Sequence, residues 1–308
     1  MTRVLVTGAT GFLGRAVSDL LETEGTSVVR ADVRASVGVR AVDVTSSRDL
    51  EDALSESTDA VIHLAAAGIG DSGLAAGAAA DPAAAIRTNV EGFERVVRAA
   101  AKSGTRRVVW SSSTTIYGPA SGYDEPIDEG ADLRPGTVYG ATKAACEFLA
   151  PLLSAEHGIE IISLRLPMVY GPGRWYGGSQ QSLVELVRAI EAGEPYEIEA
   201  GASDADWIHV GDAAAAFAAL LRVSAPRHAY HVVGHRGSLA EIVHALAAEA
   251  TGITVHEYPG GAPDLPRLTD ESLRRATGWR PQFPDSTSGA TDYLRAVSPR
   301  RRRKADDD

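Results

Sequence analysis

The sequence predicts an α/β fold: a doubly wound parallel sheet followed by a smaller C-terminal α+β part. Three observations predict it. A short apolar strand runs into a glycine turn and then a helix at Val4 to Leu21. Strand and helix signals then alternate through the first half of the chain. After Pro167 that alternation loosens, and proline and glycine become frequent.

Val4, Leu5 and Val6 read as a buried strand. Gly8, Gly11 and Gly14 follow, and Leu13, Ala16, Val17, Leu20 and Leu21 recur at helical spacing up to Gly25. A strand feeding a tight glycine turn and a helix aims unpaired N–H groups and the positive end of a helix dipole at one point. A phosphate or pyrophosphate is the expected occupant. The next apolar run, Val28-Val29, ends at Asp32, where an acidic side chain meets the ribose hydroxyls of NAD. The glycines follow G-x-x-G-x-x-G, and no G-K-[ST] comes after them, which argues against a P-loop.

Val39 to Val44 reads as a third strand, Ser47 to Leu54 as a short helix and Asp59 to Ala65 as a fourth strand. Gly68 to Ala80, rich in Gly and Ala, reads as a mobile loop. Asp81-Pro82 is an N-cap with proline at the first helical position, opening a helix that carries Ile86, Val90, Phe93, Val96 and Val97. Arg107 to Trp110 leads a fifth strand into Ser111-Ser112-Ser113. Tyr139 to His157 is a long helix, which Pro151 should kink or end early. Ile159 to Leu166 is a sixth strand. Further on, Ser179 to Glu191 and the nearly pure apolar Val210 to Leu221 are helices. His228 to Val233 is a strand returning to the sheet. Ser238-Leu-Ala-Glu241 is a capping box whose helix runs to Gly252.

Tyr139 and Lys143 stand at i and i+4, on one face of a helix. A free phenol titrates near pH 10, so it is a poor proton carrier at neutrality. A nearby lysine, with a nicotinamide cation, favours the phenolate and brings that value toward neutrality. Ser113 lies just past a strand end, where open α/β sheets bind ligands, and its hydroxyl can hydrogen-bond a substrate oxygen.

Taken together, these residues resemble the extended branch of the short-chain dehydrogenase/reductase superfamily, the NAD-dependent epimerase/dehydratase family, whose nucleotide-binding part is a Rossmann fold. The resemblance rests on the glycine turn, Asp32, Asp43, His63-Leu64-Ala65-Ala66, Asn89-Val90-Glu91-Gly92, Ser111 to Gly118, Tyr139-x-x-x-Lys143, Leu164 to Gly173 and Trp207-Ile-His209-Val. It implies NAD as cofactor. Tyr139 would be the acid/base, and Lys143 would bind the nicotinamide ribose and tune Tyr139. Ser113 would hold the substrate oxygen, assisted by Thr114 or Thr115. Gly8, Gly11, Phe12, Leu13 and Gly14 would hold the pyrophosphate. Asp32 would take the adenosine ribose, and Asp43 and Val44 would flank the adenine. Leu64, Ala65, Ala66, Asn89 and Ser111 would also face the cofactor, and backbone near Pro167 and Val169 would meet the nicotinamide amide. Arg34, two residues past Asp32, would soften the preference for NAD toward NADP. His63, His209 and Arg165 read as structural.

The resemblance divides the chain into an NAD-binding domain at 1–166 and a mainly substrate-binding part at 167–299, of which about 207–234 packs back on the first. Residues 300–308 form a charged tail. Relatives pair the helices near Asn89 and after Tyr139 across a two-fold axis, so a homodimer is expected. Departures bear on substrate. Thr114-Thr115-Ile116 stands where the 4,6-dehydratases carry Asp-Glu. Ala205-Asp206 and Gly261-Ala-Pro-Asp264 stand where nucleotide-sugar enzymes carry diphosphate-binding arginines. Arg174, Arg188 or Arg267 would have to substitute. Three readings therefore stay open: a dehydrogenase or epimerase of a sugar or small polyhydroxy compound, a nucleotide-sugar 4-epimerase, and an NAD(P)-sensing protein without chemistry. Gly68–Ala80, Pro119–Pro135 and Arg174–Gln180 should line the substrate cleft. Trp175 and Tyr176 either cover the substrate or pack as core.

The 308 residues are 44% hydrophobic and 23% charged, with net charge −11. Without the basic Arg300–Lys304 run and the acidic residues after it the body is more acidic still, a poor match for a nucleic-acid backbone. No apolar run is long enough to span a membrane. The first strand begins near residue 3, which leaves no room for a signal peptide. The single cysteine, Cys146, reads as a small core residue on a helix. The expected location is the cytoplasm, and no metal site is expected.

Overall fold

The computed structural model describes residues 2–67, 73–248 and 250–297. Its first half runs β1 (Arg3–Thr7), α1 (Phe12–Thr23), β2 (Ser27–Asp32), β3 (Arg40–Ala41), α2 (Ser47–Ala53), β4 (Ala60–His63) and α3 (Gly73–Ala80). Then come α4 (Pro82–Ala85), a π-helical turn (Ile86–Glu91), α5 (Gly92–Lys102), β5 (Arg107–Ser113), α6 (Val138–His157) and β6 (Glu160–Leu166). The second half runs β7 (Met168–Tyr170), α7 (Gln181–Ala192), β8 (Tyr196–Gly201), β9 (Asp204–His209), α8 (Val210–Leu220) and β10 (Ala229–His231). It closes with β11 (His235–Ser238), α9 (Leu239–Ala247), β12 (Ile253–Tyr258), α10 (Glu271–Thr277) and α11 (Ser286–Val297).

Seven strands form one parallel sheet in the order β10-β6-β5-β4-β1-β2-β3. The order reverses between β1 and β4, which opens a crevice at their carboxyl ends. β1, β4, β5 and β6 are buried on both faces, and this explains why they read as continuous apolar runs. One core, with Val4, Val6, Val17, Leu21 and Phe217, sits between the sheet and the pair α1 and α8. The other, with Leu5, Phe93, Val97, Trp110 and Leu153, lies beneath α2, α5 and α6. The nearly pure apolar α8 is thus a core helix, and β10 returns to the sheet beside β6. A third core, with Leu183, Trp207, Ile242 and Tyr293, joins α7, α9 and α11 to two small sheets, β11-β9-β7 and β12-β8.

Several elements depart from the sequence reading. The third strand is only Arg40–Ala41, because the Asp43 carboxylate accepts from the N–H and hydroxyl of Thr45 and turns the chain out of the ladder. Within the expected Gly68–Ala80 loop, Gly73–Ala80 is helical, as five alanines permit; Gly68–Ser72 lie outside the described residues, as does the 300–308 tail. Pro151 does not end α6. It sits on the exposed face while Ala150 and Leu153 stay packed, so burial of the inner face carries the helix past the missing N–H. Ser238 caps α9 by accepting from Glu241 N, but the Glu241 carboxylate accepts from Ser286 instead of closing the box, and the helix stops at Ala247. Asp81 caps α4 as expected, accepting from Ala84 N.

His209 caps α8: its Nδ1 accepts from Gly211 N at 3.2 Å, with the ring 2% exposed. Burial lowers its pKa to about 4, although Asp292 lies 3.5 Å from Nε2. In the unfolded chain the imidazole titrates near 6.5, so below that pH the unfolded state binds the extra proton. The stability held by neutral His209 is therefore present above pH 6.5 and falls away toward pH 4, at about 1.4 kcal/mol per unit. Chemical denaturation at pH 7 and pH 5 should show a shallower loss for His209→Asn, which keeps the cap acceptor. Equal losses in the two proteins would show that the ring is not held neutral.

Candidate active site

Gly8 leaves β1 with φ +69, and a Cβ there would stand 2.8 Å from Ala65 N at the end of β4. Gly14 faces the same turn from α1; a Cβ on it would reach 2.0 Å from Gly8 O. The strand end, the helix start and the β4 end meet with no room for side chains. Gly11 stands at the N-cap with no side-chain cap, so the first N–H groups of α1 are open to a ligand. Backbone that approaches so closely, with an open helix N-terminus, fits a dinucleotide pyrophosphate.

The cleft over this turn has a volume of about 1460 Å³, above the roughly 300–1,000 Å³ of a site for one small ligand. Its walls carry Gly8, Gly11, Phe12, Leu13, Gly14, Asp32, Asp43, Val44, Leu64, Ala65, Ala66, Ser111, Ser113, Tyr139, Pro167, Val169, Arg174, Trp175 and Tyr176. At one end the Asp32 carboxylate accepts from Thr10 N at 3.1 Å and Arg34 N at 3.2 Å. Those bonds orient it toward the space where an adenosine ribose fits. Val44 lies under that end, packed so closely that a Cβ on Gly92 would meet it at 2.9 Å. The residues present therefore fit NAD.

At the other end stand Ser113 and Tyr139. Ser113 ends β5, and its Oγ accepts from Thr115 N at 3.2 Å and from Thr115 Oγ1 at 3.0 Å. Its lone pairs are occupied, so its own proton is left to donate into the cleft. Thr137 caps α6 by accepting from Gly140 N, which sets Tyr139 in the first turn facing β5. Lys143 lies one turn on, buried, with Nζ donating to Ser111 O at 2.8 Å and 5.7 Å from the Tyr139 ring centre. Burial lowers the Lys143 pKa to about 8. Burial also raises the Tyr139 pKa, with smaller upward contributions from Tyr176 and Cys146. Desolvation is thus the largest influence on the phenol, and Tyr139 is held protonated.

Three expected residues do not reach the cleft wall. Thr114 is buried, and Thr115 takes the place beside Ser113, because the chain enters a 3-10 turn at Thr114–Ile116. Asn89 spends its amide inside the protein, accepting from Ala67 N and donating to Thr142 Oγ1. Lys143 stands behind Ser111. Of the three arginines offered as anion contacts, only Arg174 lines the cleft. Arg188 donates to Trp175 O, and Arg267 pairs with Glu125. Pro119–Pro135 does not line it either; that segment ties itself to the C-terminal part through Ala120 N to Asp264 and the Ile127–Leu268 bridge. Trp175 and Tyr176 are half-buried in the wall and lie outside the core clusters. Sequence reasoning missed Thr10, Arg15, Arg87, Thr88 and Gln181, which also line the cleft. Arg87 and Thr88 are presented by the π-helical turn, which carries no sequence signal. His63 bonds Thr7 Oγ1 at 2.7 Å and is held neutral by burial, with a pKa of about 3, a structural tether between β4 and β1.

Sheet order, glycine turn and the Ser113, Tyr139 and Lys143 cluster define a Rossmann-fold oxidoreductase that binds a nicotinamide dinucleotide. Residues 4–233 match the NAD dependent epimerase/dehydratase family, and the chain belongs to that family. It is an NAD-dependent enzyme. It is 29% identical over 301 residues to the UDP-glucose 4-epimerase of Mycolicibacterium smegmatis, covering 91% of this chain and 94% of the relative. The Thermus thermophilus UDP-glucose 4-epimerase in complex with NAD superimposes with a TM-score of 0.79 at 26% identity, covering 96% of this chain and 99% of that one. A GalE-like L-threonine dehydrogenase from Cupriavidus necator shares the fold with a TM-score of 0.83 at 24% identity, covering 96% and 100%. Among the described residues no helix is long and apolar enough to cross a membrane.

Asp32→Ala should weaken NAD binding and narrow its margin over NADP, because a carboxylate at this position accepts from ribose hydroxyls and repels a 2′-phosphate. Paired titrations with the two reduced cofactors measure both effects. A wild type that prefers NADP would contradict the assignment.

Proposed function

We propose that the protein interconverts a hydroxyl and a carbonyl on a sugar or small polyhydroxy substrate. Ser113 positions the reacting oxygen and Tyr139 moves its proton. The observation that carries this reading is that Ser113 and Tyr139 line one cleft, with Ser113 Oγ accepting twice from Thr115 and the Lys143 ammonium held on Ser111 O, 5.7 Å from the Tyr139 ring centre. Bound NAD supplies the hydride acceptor, or as NADH the donor. Ser113 donates a hydrogen bond to the substrate oxygen, which fixes that oxygen beside the phenol. In reduction Tyr139, protonated by its buried setting, gives its proton to the forming hydroxyl. That leaves a phenolate, which the charge of Lys143 favours, and in oxidation this phenolate takes the proton back. Trp175 and Tyr176 offer ring faces to the C–H face of the substrate.

A second reading, a nucleotide-sugar 4-epimerase, is favoured by the size of the cleft and by the relatives that bear that name. An epimerase returns the same hydride and retains its cofactor through purification, whereas a dehydrogenase exchanges it. We also propose a homodimer in the cytoplasm. Phe148 and Leu152, one turn apart on α6, are 64% and 67% exposed, and Ile86 on the adjoining π-helical turn is 51% exposed. Such a patch suits a second copy of the same helices.

Tyr139→Phe should lower turnover by about 10²–10⁴-fold while leaving NAD affinity nearly intact. Turnover within threefold of wild type would sink the reading. Trp175→Ala should raise KM or lower kcat at an unchanged Tm; as a core residue it would instead cost roughly 3–5 kcal/mol of stability. Sedimentation showing only monomer at micromolar concentration would contradict the dimer.

A further inference from the structure

Tyr139, Lys143 and Glu147 stand at successive turns on one face of α6. The Glu147 side chain is only 7% exposed, and its carboxylate is held by Arg165 of β6. Two parallel bonds join them, Nε to Oε1 and Nη2 to Oε2, both at 3.0 Å. The remaining Arg165 nitrogen, Nη1, donates to the Tyr117 hydroxyl at 2.6 Å and to Glu129 O at 2.9 Å. A guanidinium cannot accept, so the Tyr117 hydroxyl gives its own proton to His231 Nε2 at 2.6 Å. His231 then carries its proton on Nδ1 and donates to Thr269 O at 3.0 Å. Each member of this buried row therefore has one fixed role as donor or acceptor.

The row meets the reacting groups at two points. Tyr117 closes the 3-10 turn at Thr114–Ile116, its N–H donating to Thr114 O, and that turn sets Thr115 on Ser113 Oγ. Arg165 also lies beside Ser112 of β5, the residue before Ser113. One guanidinium thus grips both the turn after Ser113 and the helix of Tyr139 and Lys143. The second point is Glu147, one turn beyond Lys143. Burial lowers the Lys143 pKa, with Cys146 and Glu147 acting against it. The Cys146 thiol is itself pushed up to about 12 by burial. His63 and Tyr139, which also face the ammonium, are held neutral by burial. Glu147 is the charged group left beside it. A buried ion pair adds little stability over apolar side chains of the same volume; what the bidentate fork supplies is a fixed geometry.

We propose that Arg165 and Glu147 are positioning residues of the reaction. Arg165 clamps the turn after Ser113 against α6, and the Glu147 carboxylate that it holds is the counter-charge that keeps Lys143 ionised beside Tyr139. The roles of Ser113 and Tyr139 in this rest on the proposed reaction; the row itself rests on the geometry.

The chain has three lysines, Lys102, Lys143 and Lys304, so protein isotope-labelled at the lysine Cε carbons gives a separate signal for the buried one. A pH titration of the full chain followed by NMR should place the Lys143 midpoint near 8 in wild type. Glu147→Gln should lower that midpoint by about one pH unit or more, because the near carboxylate is gone and the Arg165 charge remains. Arg165→Gln should raise it, because Glu147 then has no competing cation. The double variant removes both charges and leaves two amides able to bond each other. Its midpoint should fall between those of wild type and Glu147→Gln, and it gives the measurement if a single variant does not fold. In the same samples the Thr115 and Tyr117 amides should exchange with solvent faster in Arg165→Gln than in wild type, and at the wild-type rate in Glu147→Gln, where Arg165 still holds Tyr117. Unchanged Lys143 midpoints in the variants, or shifts of one sign in both single variants, would overturn the counter-charge. Unchanged amide exchange in Arg165→Gln would overturn the clamp. No substrate enters these measurements, so full turnover in Tyr139→Phe would sink the proposed reaction without altering them.

Discussion

The close approach of three backbone segments at the glycine turn is the constraint on which the rest of the structure depends. Gly8 touches the end of β4, and Gly14 touches Gly8, with no space for a Cβ at either. That contact brings the N-terminus of α1 to the point where the strand order reverses, and it sets Leu64, Ala65 and Ala66 as the facing wall. Once α1 is fixed there, its apolar face packs with α8 on one side of the sheet. The carboxyl ends of β5 and β6 then bring Ser113 and the Pro167–Val169 backbone to the opposite side of the same cleft. Binding surface and reacting surface thus follow from one packing event rather than from separate devices.

The site is electrostatically built on burial. Tyr139 is pushed toward its neutral form, Lys143 is brought down to about 8, and Arg174 is lowered, each with desolvation as the first cause. Burial strengthens the charge interactions made among these groups. His63, Asn89 and Thr142 take no part in the wall, but they are hydrogen-bonded to Thr7, Ala67 and Tyr139 O, and so hold β4, the π-helical turn and α6 in register. The Cys146 thiol completes that junction by donating to Asn89 O, and burial pushes its pKa up to about 12.

Much of this was legible in the sequence. Strands buried on both faces announce themselves as apolar runs, and the turn at Gly8–Gly14 has to be glycine-rich for steric reasons. Asp81-Pro82 and Ser238 mark helix starts because their side chains satisfy N–H groups that nothing else can reach. The small sheets were not legible. β7 and β11 are short strands whose partner, β9, is distant in the sequence; β8 and β12 alternate in burial over 196–200 and 253–256, but nothing local says that they pair with each other. Which of Thr114 and Thr115 faces the cleft depends on a single 3-10 turn. That Asn89 and Lys143 sit behind the wall depends on the packing of the π-helical turn against α6.

The most direct test of the account is a titration of NADH into wild type and Gly14→Ala, with circular dichroism to verify the sheet. A methyl group at position 14 cannot be accommodated without moving Gly8 O away from the helix. The account predicts affinity at least about 100-fold weaker in a protein that remains folded, as displacement of the pyrophosphate-binding N–H groups implies. Equal affinity in the two folded proteins would show that the dinucleotide binds elsewhere, and would contradict the assignment of the cleft.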